Sequence, residues 1–132
     1  MNFSDALSVE AWVNPSSVGV TSEIVGRASQ FMLRLDSSKE SSTVSLFVVI
    51  NGIYEPRAKG VVLPENEWSF VVGTFDGSKV KTYVNGQLVG SVARSGHIDI
   101  ATNAVTIGNV NGNYFNGSIS NVRLFNRVLS AD

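Results

Sequence analysis

Between Trp68 and Val92 three β-rich runs are divided by two tight turns, and this arrangement leaves the chain little choice of fold. Trp68 to Phe75 is followed by Asp76-Gly77, Lys79 to Val84 by Asn85-Gly86, and Gln87 to Val92 completes the set. Asn-Gly and Asp-Gly pairs tolerate the positive φ that short hairpin turns demand, so the three runs read as an antiparallel meander. Asn51-Gly52 repeats the signal. It separates Thr43 to Ile50, the strongest strand by composition, from a returning strand over Ile53 to Ala58, where Pro56 hints at an edge or a bulge.

The remaining segments follow the same grammar. Ala6 to Val13 alternates, with Leu7, Val9, Ala11 and Val13 on one face and Ser8, Glu10 and Trp12 on the other; Pro15 removes a ladder donor. Glu23 to Gly26 and Gln30 to Leu35 read as strands joined through Arg27 to Ser29, and the polar stretch Asp36 to Ser42 as a turn. His97 to Ile100 and Ala104 to Ile107 are expected to be short strands, and Gly108 to Gly112 a loop. Gly117 to Asn126 is the last strand. Its apolar residues conflict in parity, with Val122 and Leu124 on one face and Ile119 on the other. Either both faces are buried or a bulge near Ser120-Asn121 resets the register. No amphipathic helix pattern, linker or polar tail interrupts the series, so the expectation is a single all-β domain over residues 1–132, a two-sheet antiparallel sandwich.

Composition narrows the function classes. Hydrophobic residues make up 43% of the 132 residues and charged residues 16%, enough apolar surface for a core and too little charge for disorder. The net charge is −1 and the ten Lys and Arg are scattered, which argues against nucleic acid and against an anionic membrane as partners. No apolar run is long enough to insert in a membrane. The absence of cysteine removes disulfides, zinc-thiolate sites and thiol nucleophiles together. Met1 is followed directly by Asn-Phe-Ser-Asp, which reads as mid-domain sequence, so Met1 is expected to be a start added to a fragment of a larger protein.

Three constellations invite chemistry and each has a plainer explanation. His97 and Asp99 alternate on an expected strand, but one histidine cannot build a multi-histidine metal site, and a polar strand face is favoured. Gly108 to Gly112 lacks the lysine and following helix of a phosphate loop and is a turn. Glycoside hydrolysis needs two carboxylates facing one another across a cleft; Glu65 and Glu67 come closest and lie in the turn before Trp68.

Three segments together resemble the laminin-G-like family of concanavalin A-like jelly rolls: Leu7-Ser-Val-Glu-Ala-Trp-Val-Asn-Pro15; Trp68-Ser-Phe-Val-Val-Gly-Thr-Phe-Asp-Gly77 with Tyr83-Val-Asn-Gly-Gln-Leu88; and Phe115-Asn-Gly-Ser-Ile-Ser-Asn-Val-Arg-Leu-Phe-Asn-Arg127 with Leu129-Ser-Ala131. The resemblance implies a jelly-roll sandwich. It also implies a first and a last strand, normally paired with each other, that this chain lacks; the sheet edges so exposed suggest a homodimer or another strand-completing assembly. Related glucanases carry Glu-x-Asp-x-x-Glu on one strand, and no such run exists here, so no enzyme activity is expected. Calcium is the one cofactor that the resemblance raises. Where the family commonly carries Ile-Asp-Glu-Val this chain reads Ile119-Ser120-Asn121-Val122, and the loss of both carboxylates argues against the site.

Trp12 and Trp68 match core positions of the family and are expected to be buried, as are Phe3, Phe31, Phe47, Phe75 and Phe115. The candidate ligand residues are therefore sought on loops: Tyr54 with Arg57, beside Glu55, and Tyr114 with Asn109, Asn111 and Asn113. Asparagine amides both donate and accept, which suits vicinal sugar hydroxyls, although Asn and Gly are also what positive-φ turns select. The expected function is recognition of a polysaccharide or glycoprotein glycan by a non-catalytic module of a larger extracellular or surface protein. A structural or adhesion domain that binds protein or assembles through its edges is the alternative, and a hydrolase fragment ranks third. A solvent-exposed row of aromatics on one sheet or loop rim would favour the glycan reading.

Overall fold

The alternation of the first segment becomes strand β1, Leu7–Pro15, in a computed structural model that describes residues 4–110 and 113–129. Leu7, Val9, Ala11 and Val13 are all fully buried, as their shared parity requires. The strands that follow are β2 (Ser22–Arg27), β3 (Phe31–Leu35), β4 (Val44–Val48), β5 (Ala58–Lys59), β6 (Ser69–Phe75), β7 (Lys79–Val84), β8 (Gln87–Ala93), β9 (Val105–Ile107), β10 (Asn109–Val110), β11 (Asn113–Tyr114) and β12 (Gly117–Phe125). They form two five-stranded antiparallel sheets, β12-β1-β6-β7-β8 and β5-β4-β3-β2-β9, with β10 and β11 as a separate small hairpin. The architecture is the jelly-roll sandwich.

The meander is present as β6, β7 and β8. Its second turn has Asn85 at φ 51° and Gly86 at 83°, and the Asn51-Gly52 turn matches it at 53° and 75°. These left-handed pairs are what the right-handed twist of a hairpin selects. Between the sheets, Val71, Phe75 and Val80 join the β1 residues against Phe31, Leu33, Leu35, Val44, Leu46 and Val48. The sheets come close at Gly73, where a Cβ would stand 2.8 Å from Leu46 Cδ2, and at Gly90, where it would run into the Lys59 carbonyl.

β12 contains a bulge. Glu10 pairs with Arg123 but Trp12 with Ser120, so Asn121 and Val122 together oppose one residue of β1. Asn121 takes φ 54°. The extra residue lets Ile119, Val122 and Leu124 all pack against the core, which resolves the parity conflict.

Two expected strands are not formed. Ile53 to Ala58 makes only an isolated bridge from Ile53 to Ile50 before the short β5. Pro56 has no N–H to donate, and the Arg94 guanidinium takes the carbonyls of Val48, Ile53 and Tyr54, so this stretch bonds to a side chain rather than a ladder. His97 to Ile100 is irregular. Ile98 is buried in the core, and the Asp99 carboxylate accepts from Asn51 N and Gly52 N at 2.8 Å, capping the turn. His97 Nδ1 lies 2.8 Å from Asp5 Oδ1 on the surface, away from Asp99's partners.

Phe31 and Phe75 are in the core and Phe115 packs partly against it. Phe47 is buried elsewhere, with Met32 on the outer side of the second sheet. Phe3 lies outside the described residues.

Candidate functional site

On the outer face of the first sheet the side chains of β1, β6 and β12 stand in register. Trp12 pairs with Phe70 on one side and Ser120 on the other; the next row is Glu10 between Val72 and Arg123. Trp12 and Phe70 make a tilted aromatic contact, their centroids 5.1 Å apart and their planes at 40°. Trp68, immediately before β6, joins Trp12, Ser120 and Asn121 around an open groove of about 400 Å³.

This corrects the expected burial of both tryptophans. Trp12 is 39% exposed and Trp68 49%. Strand parity places Trp12 opposite Leu7 and Val9, and the register of the strand prevails over the usual burial of large aromatics. Trp68 precedes the strand proper and escapes the pleat altogether.

Each wall of the groove has a local cause. β1 holds Trp12 outward because its neighbours Ala11 and Val13 are locked in the core. The bulge places Ser120 and Asn121 beside it. The loop carrying Trp68 is tied to the end of β1, where Asn66 N donates to Pro15 O at 2.7 Å. Glu65 Oε2 accepts from Val18 N at 2.9 Å, so Glu65 holds the same loop in place. Among the described residues no hydrogen bond engages the Ser120 hydroxyl, the Asn121 amide or either indole N–H. The groove therefore offers two aromatic faces together with a hydroxyl, an amide and two indole donors free for a ligand.

The residues proposed from loops lie elsewhere and form two separate sets. Tyr54 is half-buried against Met32 and Phe47. Arg57 is held among carboxylates, its Nη1 2.9 Å from Asp36 Oδ1 and its Nη2 2.8 Å from Glu40 and 2.7 Å from Glu55. It also lies 4.5 Å over the Phe47 ring, with Arg34 at 4.4 Å. Burial alone would lower the Arg57 pKa, but hydrogen bonds to Glu55 and Glu40 and the charge of Asp36 raise it above its usual value. The reciprocal bond from Arg57 draws Glu40 below the usual carboxylate range. On the hairpin, Asn109 pairs across the strands with Tyr114, which is 73% exposed, and Asn113 sits next in register. Asn111 lies outside the described residues. Among the described residues no group of three His, Asp or Glu side chains is placed to hold a metal ion.

A laminin-G-type family model, that of the concanavalin A-like lectin/glucanases superfamily, matches residues 1–132. A search of curated protein sequences finds no match. Among solved structures, the chain is similar to a Bacteroides ovatus protein named as a candidate carbohydrate-binding protein, at 20% identity and TM-score 0.81, covering 99% of this chain and 40% of that one. It is similar to domain 4 of the extracellular arabinanase AbnA from Geobacillus stearothermophilus, in complex with arabinotriose, at 20% identity and TM-score 0.72, covering 97% and 64%. The CBM40 domain of the Ruminococcus gnavus IT-sialidase, bound to α2,3 sialyllactose, matches at 15% identity and TM-score 0.74, covering 96% and 78%. At these identities the likeness establishes the fold. The chain spans less than two thirds of the first two structures.

Proposed function

Because the chain belongs to the concanavalin A-like lectin/glucanases superfamily, we propose that it is a non-catalytic glycan-recognition module whose sugar-binding surface is the groove between Trp12 and Trp68. The observation that carries this reading is the exposure of two tryptophans next to uncommitted hydroxyl and amide groups. Two partly exposed indoles around one groove, beside Phe70, make an apolar patch of the kind that marks contact sites, and flat aromatic faces suit the C–H faces of sugar rings. The glycan ligands of the arabinanase domain and of the sialidase CBM40 domain support the class of ligand. Among the described residues no carboxylate lines the groove, and its walls of Trp, Ser and Asn support binding over hydrolysis. The proposed setting is an extracellular or cell-surface protein of which this is one module. No helix among the described residues is long and apolar enough to cross a membrane. In this proposal Tyr114 and Asn109 form a separate outlying contact patch.

Affinity electrophoresis through soluble polysaccharides tests the reading. The unaltered protein should be retarded by at least one polysaccharide, and Trp12→Ala and Trp68→Ala should each lose about tenfold or more in affinity, as anchor truncations do. Retardation unchanged in both variants but lost in Tyr114→Ala would move the site to the hairpin.

A second reading is assembly. The nine residues of β12 lie at the edge of the first sheet, and Ile107 on the edge strand β9 is 57% exposed. Such edges favour pairing with another strand, and a homodimer is the proposed form. A monomer by light scattering at high protein concentration would remove it.

A further inference from the structure

We infer that the groove takes neutral sugars and discriminates against glycans carrying carboxylate or sulfate groups, an inference that rests on the glycan-binding reading above. Its four walls, Trp12, Trp68, Ser120 and Asn121, carry no charge. The positions next to them in register, Phe70 beside Trp12 and the Asn14–Ser118 pair one step along, are neutral as well.

The charges nearest to the walls in sequence and in register are acidic or already paired. Glu67 directly precedes Trp68 on a loop pinned to the end of β1, and Glu65 of the same loop, three residues before Trp68, accepts from Val18 N. Arg123 is the nearest cation by register, one row from Trp12, and Glu10 Oε1 lies 3.6 Å from its Nη1. The next cations of this face are further off. Lys81 stands opposite Thr74, four residues along β6 from Phe70, which is about 13 Å at strand spacing. Arg127 sits over the Phe125 ring, and Phe125 pairs with Ser8, four residues along β1 from Trp12.

An anionic sugar entering this groove gives up water around its charge and finds no cation in the walls to replace it, while Glu67 adjoins Trp68 in the chain. A neutral ring pays neither penalty. Its hydroxyls exchange water for the Ser120 hydroxyl and the Asn121 amide, and its C–H face covers apolar indole surface. The selectivity arises from exclusion as much as from attraction.

The test compares two panels by affinity electrophoresis and titration calorimetry. The neutral panel is arabinan, xylan, mixed-linkage glucan and galactomannan; the acidic panel is polygalacturonate, alginate and α2,3-sialyllactose. Binding should be confined to the neutral panel, with acidic ligands weaker by about tenfold or more, and Glu67→Lys should recover part of the acidic binding in a form erased at about 0.5 M salt. Circular dichroism establishes that the variant is folded. Acidic ligands bound as tightly as neutral ones, with both lost in Trp12→Ala, would overturn the charge selection and leave the glycan-binding groove standing. Binding to neither panel would overturn both.

Discussion

Trp12 and Phe47 occupy equivalent positions, each an aromatic pointing outward from a central strand, yet Trp12 is 39% exposed and Phe47 only 3%. The difference lies in what crosses above them. Over the second sheet, Asp36 is fully buried and gathers Arg34, Arg57, Thr43 and Ser45, while Glu40 and Glu55 complete the charge balance. Two guanidinium planes close over the Phe47 ring. Over the first sheet, Trp12 touches the Phe70 ring beside it and faces an open groove that it shares with Trp68. One outer face is roofed for stability; the other is left available for contact. An aromatic on a strand thus does not declare its role by type, because the loops above it decide whether its area is removed from water.

The largest expected effect breaks the roof. Asp36→Ala leaves two arginines clustered without their central carboxylate and should cost about 3 kcal/mol, the low end for a broken buried pair because both arginines keep some exposure. Denaturant titration measures it, and glycan retardation by the folded fraction should be unchanged. The converse substitution, Trp12→Ala, should lower affinity about tenfold or more while costing about 2 kcal/mol of stability, from the aromatic pair and the shielded part of the ring. A large stability loss there would mean that the groove is a packing surface.

Asn121 sharpens the contrast further. Its φ of 54° makes Asn121→Val strained by about 1 kcal/mol, whereas Asn121→Gly keeps the bulge and removes only the amide. The glycine variant should melt close to the parent and bind its glycan more weakly. Equal binding would take the amide out of the site.

The smallest effect is a pH response confined to the roof. Glu40 has its folded pKa drawn below the ordinary value of 4.5 by Arg57, so between the two values the unfolded chain binds more protons. Its contribution to stability is therefore fully present above about pH 4.5 and is lost as the pH falls through the lower folded value. Melting temperature should decline in that window, and Glu40→Gln should flatten the decline by a small amount, as expected for a partly exposed pair. The groove walls do not titrate there, so binding by the folded protein should not follow the same curve.

Much of the architecture was legible in the residues themselves. Alternation in Leu7 to Val13, the Asn51-Gly52 and Asn85-Gly86 turns and the parity conflict among Ile119, Val122 and Leu124 led to the strands, the meander and the bulge. These are local signals, carried by backbone sterics and side-chain period. The candidate site was less legible. In the sequence Ser120 and Asn121 stand out as a bulge and as replacements for carboxylates, and Trp12 and Trp68 match core positions of the family.

Sequence alone determined which segments become strands, where they reverse and which β1 residues face inward, because φ preferences and period-two burial act over a few residues. Tertiary structure decided what stands above each sheet. It brought Arg57 to Asp36 and Glu40 across a turn and a strand, and it brought Trp12 to Ser120 from opposite ends of the chain. Solvent exposure of an outward side chain depends on segments distant in sequence, and no local pattern encodes their arrival.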